Sequence, residues 1–234
     1  NTEPPTSGPI SIDFLYRDDD IAVVNKPSGM LVHRGWDNDK VGAMTVVRDH
    51  VGQHVYPVHR LDRPTSGALI FALHQDAARV VSQEFEAGNV HKAYLALVRG
   101  ITPESGVIDN PVPKKPNGKR VPAVTEFRRL FEFERYSLVG AWPKTGRLHQ
   151  IRRHLKHISH PLIGDSKYGK GEHNRFFREK FGLTRLGLHA ATISFTHPQS
   201  GEKLTLHAPL PEDFARPLKT MGVPEALLTL PSTP

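Results

Sequence analysis

The run Ser66–Leu73, SGALIFAL, constrains the fold of this chain more than any other segment. It is apolar, bounded by turn residues on its N-terminal side, and reads as a buried strand. Ahead of it, Val41 to Val51 carries apolar residues at near-helical spacing (Val41, Met44, Val47, Val51). A helix and a core strand therefore flank the charged stretch His59-Arg60-Leu61-Asp62.

The remaining pattern mixes strands and helices. SIDFLY and IAVVNK, separated by the polar turn Arg17 to Asp20, read as a hairpin. Gln75 to Ala87 has helical spacing and stops at Gly88-Asn89, after which HKAYLALV is a strand with Tyr94, Ala96 and Val98 on one face. Ile108 to Arg120, full of Pro, Gly and Lys, reads as an exposed loop or irregular hairpin whose lysines could reach a phosphate backbone. AVTEFRRLFEF and YSLVGAW are strand-like, and Arg147 to about Ile158 is helical by spacing. HAATISFTH and KLTLHA are late strands before a helix that begins near Pro211. Without the regular strand-helix alternation of a parallel sheet, the fold class expected is α+β with a largely antiparallel mixed sheet. No GxGxxG or GxxxxGK[ST] phosphate loop occurs. At 234 residues the chain suits one domain, expected over 10–234, with residues 1–9, rich in Pro, Thr and Ser, as a flexible leader.

Charge and cysteine content narrow the function. Lys and Arg exceed Asp and Glu by 31 to 24, a net +7 that favours a polyanionic partner, nucleic acid first. The chain has no cysteine, which excludes disulfides, thiolate catalysis and zinc sites built on Cys, and fits a reducing compartment. No apolar run approaches a membrane span and no secretion signal precedes the domain, so a cytoplasmic protein is expected.

The densest chemistry lies in His59-Arg60-Leu61-Asp62-Arg63-Pro64-Thr65-Ser66-Gly67, where one carboxylate stands between two guanidinium groups that favour its ionised form. A surface salt bridge closing a turn is the plainer reading of these residues. An anion on a surface meant for RNA repels phosphate unless it is neutralised or used for catalysis.

That stretch resembles the signature HRLDxxTSG of the RluA-like pseudouridine synthases. The similarity continues through NKPSGMLVH (Asn25 to His33), HKAY (His91 to Tyr94), PKTGRLHQIRRHL (Pro143 to Leu155), HPLIGDSKYG (His160 to Gly169) and LGLHAATISFTHP (Leu186 to Pro198). It runs from Ile10 to Pro209 in the family's order. The resemblance implies the family's fold, a largely antiparallel mixed sheet flanked by helices and loops around a central cleft, with no cofactor. It implies that Asp62 is the essential aspartate in converting uridine to its C-glycoside isomer, either by bonding to C1′ or by abstracting a ribose proton. Tyr94 matches the tyrosine that stacks on the target base and assists proton removal at C5. Arg152 matches the basic residue that pairs with the aspartate, and Arg60 the arginine that fills the space left by the flipped base.

Helical geometry supports Arg152 independently. Leu148, Ile151, Leu155 and Ile158 form one apolar stripe; Arg152 lies at its border, while Arg153 and Lys156 point outward to solvent or phosphate. Arg63 beside the carboxylate and Arg147 in the TGR turn complete the expected RNA-binding set, and His59 is expected to be structural. His149, His154, His157 and His160 are not read as a metal site, because only HxxH-type spacings occur and no HExxH accompanies them.

Within the family, the segments GMLVHRGW, VHRLDRPTSG, GRLHQIRRHL and RFFREKFGLTRLGLHA are most similar to the tRNA pseudouridine synthase C type, which modifies a uridine in the acceptor and T-stem arm of tRNA. A monomer acting on tRNA, without a separate S4-type RNA-binding domain, is therefore expected. Action on rRNA or on several RNAs is an alternative, as are a non-catalytic RNA-binding module and a metal-dependent nucleotide hydrolase; the intact Asp62, Tyr94 and Arg152 set argues against the module.

Overall fold

The computed structural model describes residues 11–33 and 41–234. The leader expected over 1–9 lies outside them, as does the 34–36 end of the GMLVHRGW segment.

In chain order the strands and helices are β1 (Asp13–Arg17), β2 (Ile21–Lys26), α1 (Ala43–Val51), β3 (Tyr56–Pro57), β4 (Ser66–Ala72), α2 (Gln75–Ala87), β5 (His91–Arg99), β6 (Ser105–Asp109), β7 (Val112–Pro113), β8 (Arg120–Val121), β9 (Val124–Phe133), β10 (Tyr136–Pro143), α3 (Gln150–His157), α4 (Gly171–Phe181), β11 (Leu188–Thr196), β12 (Lys203–His207) and α5 (Glu212–Thr220). The main sheet runs β1-β2-β4-β11-β5-β10-β9-β6, with β12 added to β11 and β3 to β4, while β7 and β8 form a separate ribbon. This is the α+β architecture expected. Every pairing in the main sheet is antiparallel except β4 with β11.

Alternation along the strands divides the core. On β5, Tyr94, Ala96 and Val98 face one side, where α1 contributes Val47 and α3 contributes Ile151 and Leu155. Ala93, Leu95 and Leu97 face the other, against Phe177 and Phe181 of α4 and Phe214 and Leu218 of α5. Beside them on that second face, Val81 of α2 packs on Ile21, Val23, Ala68 and Ile70. β4 is buried along its whole length, as its composition implied.

The parallel junction between β4 and β11 sets the position of everything just before β4. Gly67 adopts φ +119°, and a Cβ there would lie 2.2 Å from the carbonyl oxygen of Ala190. Only glycine permits that approach. Beneath it, Arg185 Nη2 donates to Ser66 Oγ (2.7 Å), Ser66 Oγ bonds His189 Nδ1 (2.8 Å), and His189 Nε2 donates to the carbonyl of Ala208 (3.0 Å). Since a carbonyl can only accept, Nε2 carries a proton, and burial, which pushes the pKa down to about 4, keeps the ring neutral near pH 7. This buried serine-histidine pair serves to join elements.

A second fastening comes from Lys26, which is fully buried at the end of β2. Its Nζ donates to the carbonyls of Pro27 (2.9 Å), Met30 (2.8 Å) and Arg63 (3.2 Å). Burial and the charge of Arg185 push its pKa down to about 7, opposed by Asp62. Three carbonyl partners require three N–H donors, which only the ammonium form supplies, so the bonding pattern argues for the charged state. The KPSG turn is thereby fixed to the loop that carries Asp62.

Candidate active site

Asp62 lies in the segment between β3 and β4, where the amide of Thr65 donates to its carbonyl (2.9 Å) and turns the chain into the core strand. Its carboxylate reaches Arg152, whose Nη1 donates to Asp62 Oδ2 at 3.1 Å. The expected pairing is therefore present, across 90 positions of sequence.

Arg152 is itself held from behind. Nε and Nη2 donate to the two carboxylate oxygens of Asp165 at 2.8 and 2.9 Å, a bidentate fork that fixes the guanidinium plane. Burial opposes the charge on Arg152, and the hydrogen bonds and charges of Asp165 and Asp62 outweigh it, leaving its pKa raised. Burial likewise opposes the Asp165 anion, yet Arg152 and the backbone amides of Tyr168 and Lys167 bring its pKa below the usual range. The side chain of Asp165 is fully buried, whereas that of Asp62 is 19% exposed. The inner acid is committed to structure; the outer one faces the cleft.

Tyr94 lies on the face of β5 that looks toward the same cleft and is 8% exposed. Burial, reinforced by the Asp62 carboxylate, pushes its phenol pKa well up, so the hydroxyl stays protonated at neutral pH. It makes no hydrogen bond among the described residues.

The cleft has a volume of about 600 Å³ and includes Arg60, Asp62, Lys92, Tyr94, Arg147 and Arg152 in its lining. That is within the range of small-ligand pockets, about 300–1,000 Å³, and suits one nucleotide. Arg60 is exposed and makes no side-chain hydrogen bond among the described residues. Its neighbour His59 behaves differently: Nε2 accepts the amide of Ile70 (2.9 Å) and the ring stacks on Phe85 at 4.7 Å. Burial and the nearby Lys92 push its pKa down to about 3, so it is neutral and structural.

The other expected cations are dispersed. Arg63 is exposed but spends Nε on the carbonyl of Gly29 (3.0 Å). Arg147 is exposed on the cleft wall, with Nε only 3.5 Å from the carbonyl of Pro122, a weak contact. Arg153 and Lys156 sit outside the cleft lining, over the ring of Tyr168. α3 begins at Gln150 rather than Arg147 because His149 takes a left-handed backbone, φ 52°, and Gln150 Oε1 accepts from Thr145 (2.6 Å) and the Arg147 amide (3.1 Å) to close the TGR turn.

Sequence reasoning did not single out Asp165, Tyr168 or Lys92, and weighed His149 only as a metal ligand. His149 bonds Tyr168 through Nδ1 (2.9 Å) and points Nε2 at Asp62 Oδ1, 3.8 Å away. Burial lowers its pKa, partly offset by Asp62, leaving a neutral ring beside the carboxylate. Lys92 shares the strand face of Tyr94, two positions before it, and burial pushes its amine down to about 8. HPLIGDSKYG and HKAY were visible as motifs, but an acid whose partner is an arginine on another element leaves no periodic signal. The histidines of the 149–160 segment go to separate partners: His154 bonds Thr125 and the Asn110 carbonyl, and His160 bonds the Arg99 carbonyl. No helix among the described residues is long and apolar enough to cross a membrane.

Comparison with known proteins identifies the family. The family model for RNA pseudouridylate synthase matches residues 20–157. The tRNA pseudouridine synthase C of Haemophilus ducreyi is 45% identical over 88% of this chain and 93% of its own length. That of Vibrio cholerae is 41% identical over 93% of this chain and 98% of its own. Among solved structures, human RNA pseudouridylate synthase domain containing 4 superposes with a TM-score of 0.74 at 27% identity, covering 90% of this chain and 93% of that one. The chain belongs to the RNA pseudouridylate synthase family, in its RluA-like group.

Proposed function

We propose that this chain isomerises a specific uridine of tRNA, in the acceptor and T-stem arm, with Asp62 as the carboxylate that acts at the ribose. The observation that carries the reading is the hold on Asp62: Arg152 reaches it at 3.1 Å while Asp165 grips Arg152 from behind, at the wall of a nucleotide-sized cleft that Tyr94 also lines. The substrate class rests on relatives named tRNA pseudouridine synthase C.

The reaction breaks N1–C1′, turns the base and forms C5–C1′, after which the C5 proton leaves and the uracil ring regains its conjugation. An anion beneath the sugar offsets the electron deficiency at C1′ as the bond opens. Arg152 gives that anion one orientation and leaves Oδ1 available on the side facing His149. Tyr94 contributes its ring as a platform for the base; because its hydroxyl is protonated, it accepts the C5 proton only while passing its own onward. Arg60, exposed beside Asp62, takes the place of the extruded base in the stack. Arg63 and Arg147 hold phosphates at the rim. Residues 10–234 act as a single, monomeric catalytic unit in the cytoplasm, with no cofactor or metal.

The test is release of tritium from C5-labelled uridine in unfractionated tRNA, with excess chelator present. Release to a plateau of one site per acceptor tRNA, at an unchanged rate with chelator, is expected. Release from rRNA alone would reassign the substrate, and none from either RNA would overturn the reading.

A further inference from the structure

Tyr168, three residues beyond Asp165, is surrounded by positive charge to a degree the cleft does not require. Arg152 Cζ lies 5.1 Å from the centroid of its ring, Arg153 Cζ 5.2 Å, and Lys156 and Lys167 Nζ each 5.7 Å. Arg152 is neutralised by Asp165 and Asp62. Arg153, Lys156 and Lys167 have no carboxylate within ion-pair distance among the described residues, and Arg153 Nε is buried without a hydrogen-bond partner. The ring offsets only part of the mutual repulsion through its negative face. Gathering three unpaired cations around one ring is otherwise unfavourable, and an anion removes the conflict.

The platform is rigid. Asp165 Oδ1 accepts the amides of Lys167 (2.9 Å) and Tyr168 (3.0 Å), and Asn174 ties the loop on both sides, accepting from the Gly164 amide (2.8 Å) and donating to the Asp165 carbonyl (3.1 Å). It is also linked to the reaction centre, because the Tyr168 hydroxyl bonds His149, which faces Asp62. Cations over the ring argue against a stacked nucleobase there and for a charged, oxygen-rich group. We propose that Arg153, Lys156, Lys167 and Tyr168 form a phosphodiester site for the strand that carries the target uridine. The site holds the backbone next to the nucleotide that enters over Asp62, a statement that rests on the RNA-modifying role argued above. It fixes the strand along α3, outside the cleft that Arg60 and Arg147 line.

The two exposed lysines allow a test that leaves the fold intact. Equilibrium binding of unfractionated tRNA and tritium release from C5-labelled tRNA are followed across a range of salt for wild type, Lys156→Ala, Lys167→Ala and the double variant, with Lys203→Ala on β12 as a control. Each of these single substitutions is expected to weaken binding several-fold and to lower the slope of log affinity against log salt by about 1, the double by about 2. The loss falls on KM rather than kcat, and Lys203→Ala shifts neither. A salt slope and KM equal to wild type in the double variant would overturn the site, as would a loss confined to kcat. Wild type that binds tRNA but releases no tritium would instead count against the catalytic reading, while the salt slopes would still decide the phosphate site.

Discussion

Arg152 and Arg60 line the same cleft, yet the protein treats the two guanidinium groups in opposite ways. Arg152 is buried, forked onto Asp165 and bonded to Asp62, so every direction in which it could move is already occupied. Arg60 is exposed and makes no side-chain bond among the described residues; Arg147 and Lys114 are exposed along the same wall. The cation proposed to orient Asp62 is enclosed with acids, and the cations proposed to meet the RNA are left in water. The contrast separates positioning from binding by burial alone.

The largest effect should come from breaking the enclosed side. Arg152→Met leaves Asp165 buried without its partner, and urea unfolding at neutral pH should show a loss of about 3–5 kcal/mol. A loss under about 1 kcal/mol would mean that Arg152 is not the anchor. Arg152→Lys keeps the charge and removes the fork, so kcat should fall about a hundredfold while the KM for RNA stays within about threefold.

Acid should then act on the enclosed layer and spare the rim. His59 and His189 have folded pKa values near 3 and 4, against about 6.5 when unfolded. Between those limits the unfolded chain binds more protons than the folded one. Stability therefore rises with pH across the window and is lost as pH falls below about 6.5. Going from pH 7.5 to pH 5 should cost about 1–2 kcal/mol for each histidine, measured by urea unfolding, and His59→Gln should flatten the slope.

The smallest effect belongs to the rim. Arg60→Ala should raise KM about tenfold, with stability within about 0.5 kcal/mol of wild type. Equal damage to KM from Arg60→Ala and Arg152→Lys would erase the distinction between the two regions.

How much of this was legible before the coordinates depends on the range of the interaction. β4, α2 and the β9–β10 pair follow from apolar patterning and from Gly88, which caps α2 in a left-handed conformation. α4 was not foreseen, although His173, Phe177 and Phe181 share its buried face at helical spacing; the charged residues between them diluted the signal. The parallel contact of β4 with β11 joins Ser66 to His189, and no local pattern announces such a pairing. Within the site, Asp62, Tyr94 and Arg152 were visible through motif resemblance, and Arg152 also through its place on the border of the α3 stripe. Asp165 was not, because a buried acid is recognisable only by the arginine it meets, and that arginine lies on another element. His149 meets Asp62 across the fold, and the HxxH-type spacing of its segment carries no sign of that contact.

The role proposed for the Asp62 carboxylate is chemical, with little contribution to holding RNA. Asp62→Asn removes the charge and almost no volume, so single-turnover tritium release and tRNA affinity measured on the same preparation test it most directly. Release should slow by at least about a thousandfold, with affinity within about threefold of wild type. Release within about tenfold of wild type would contradict it.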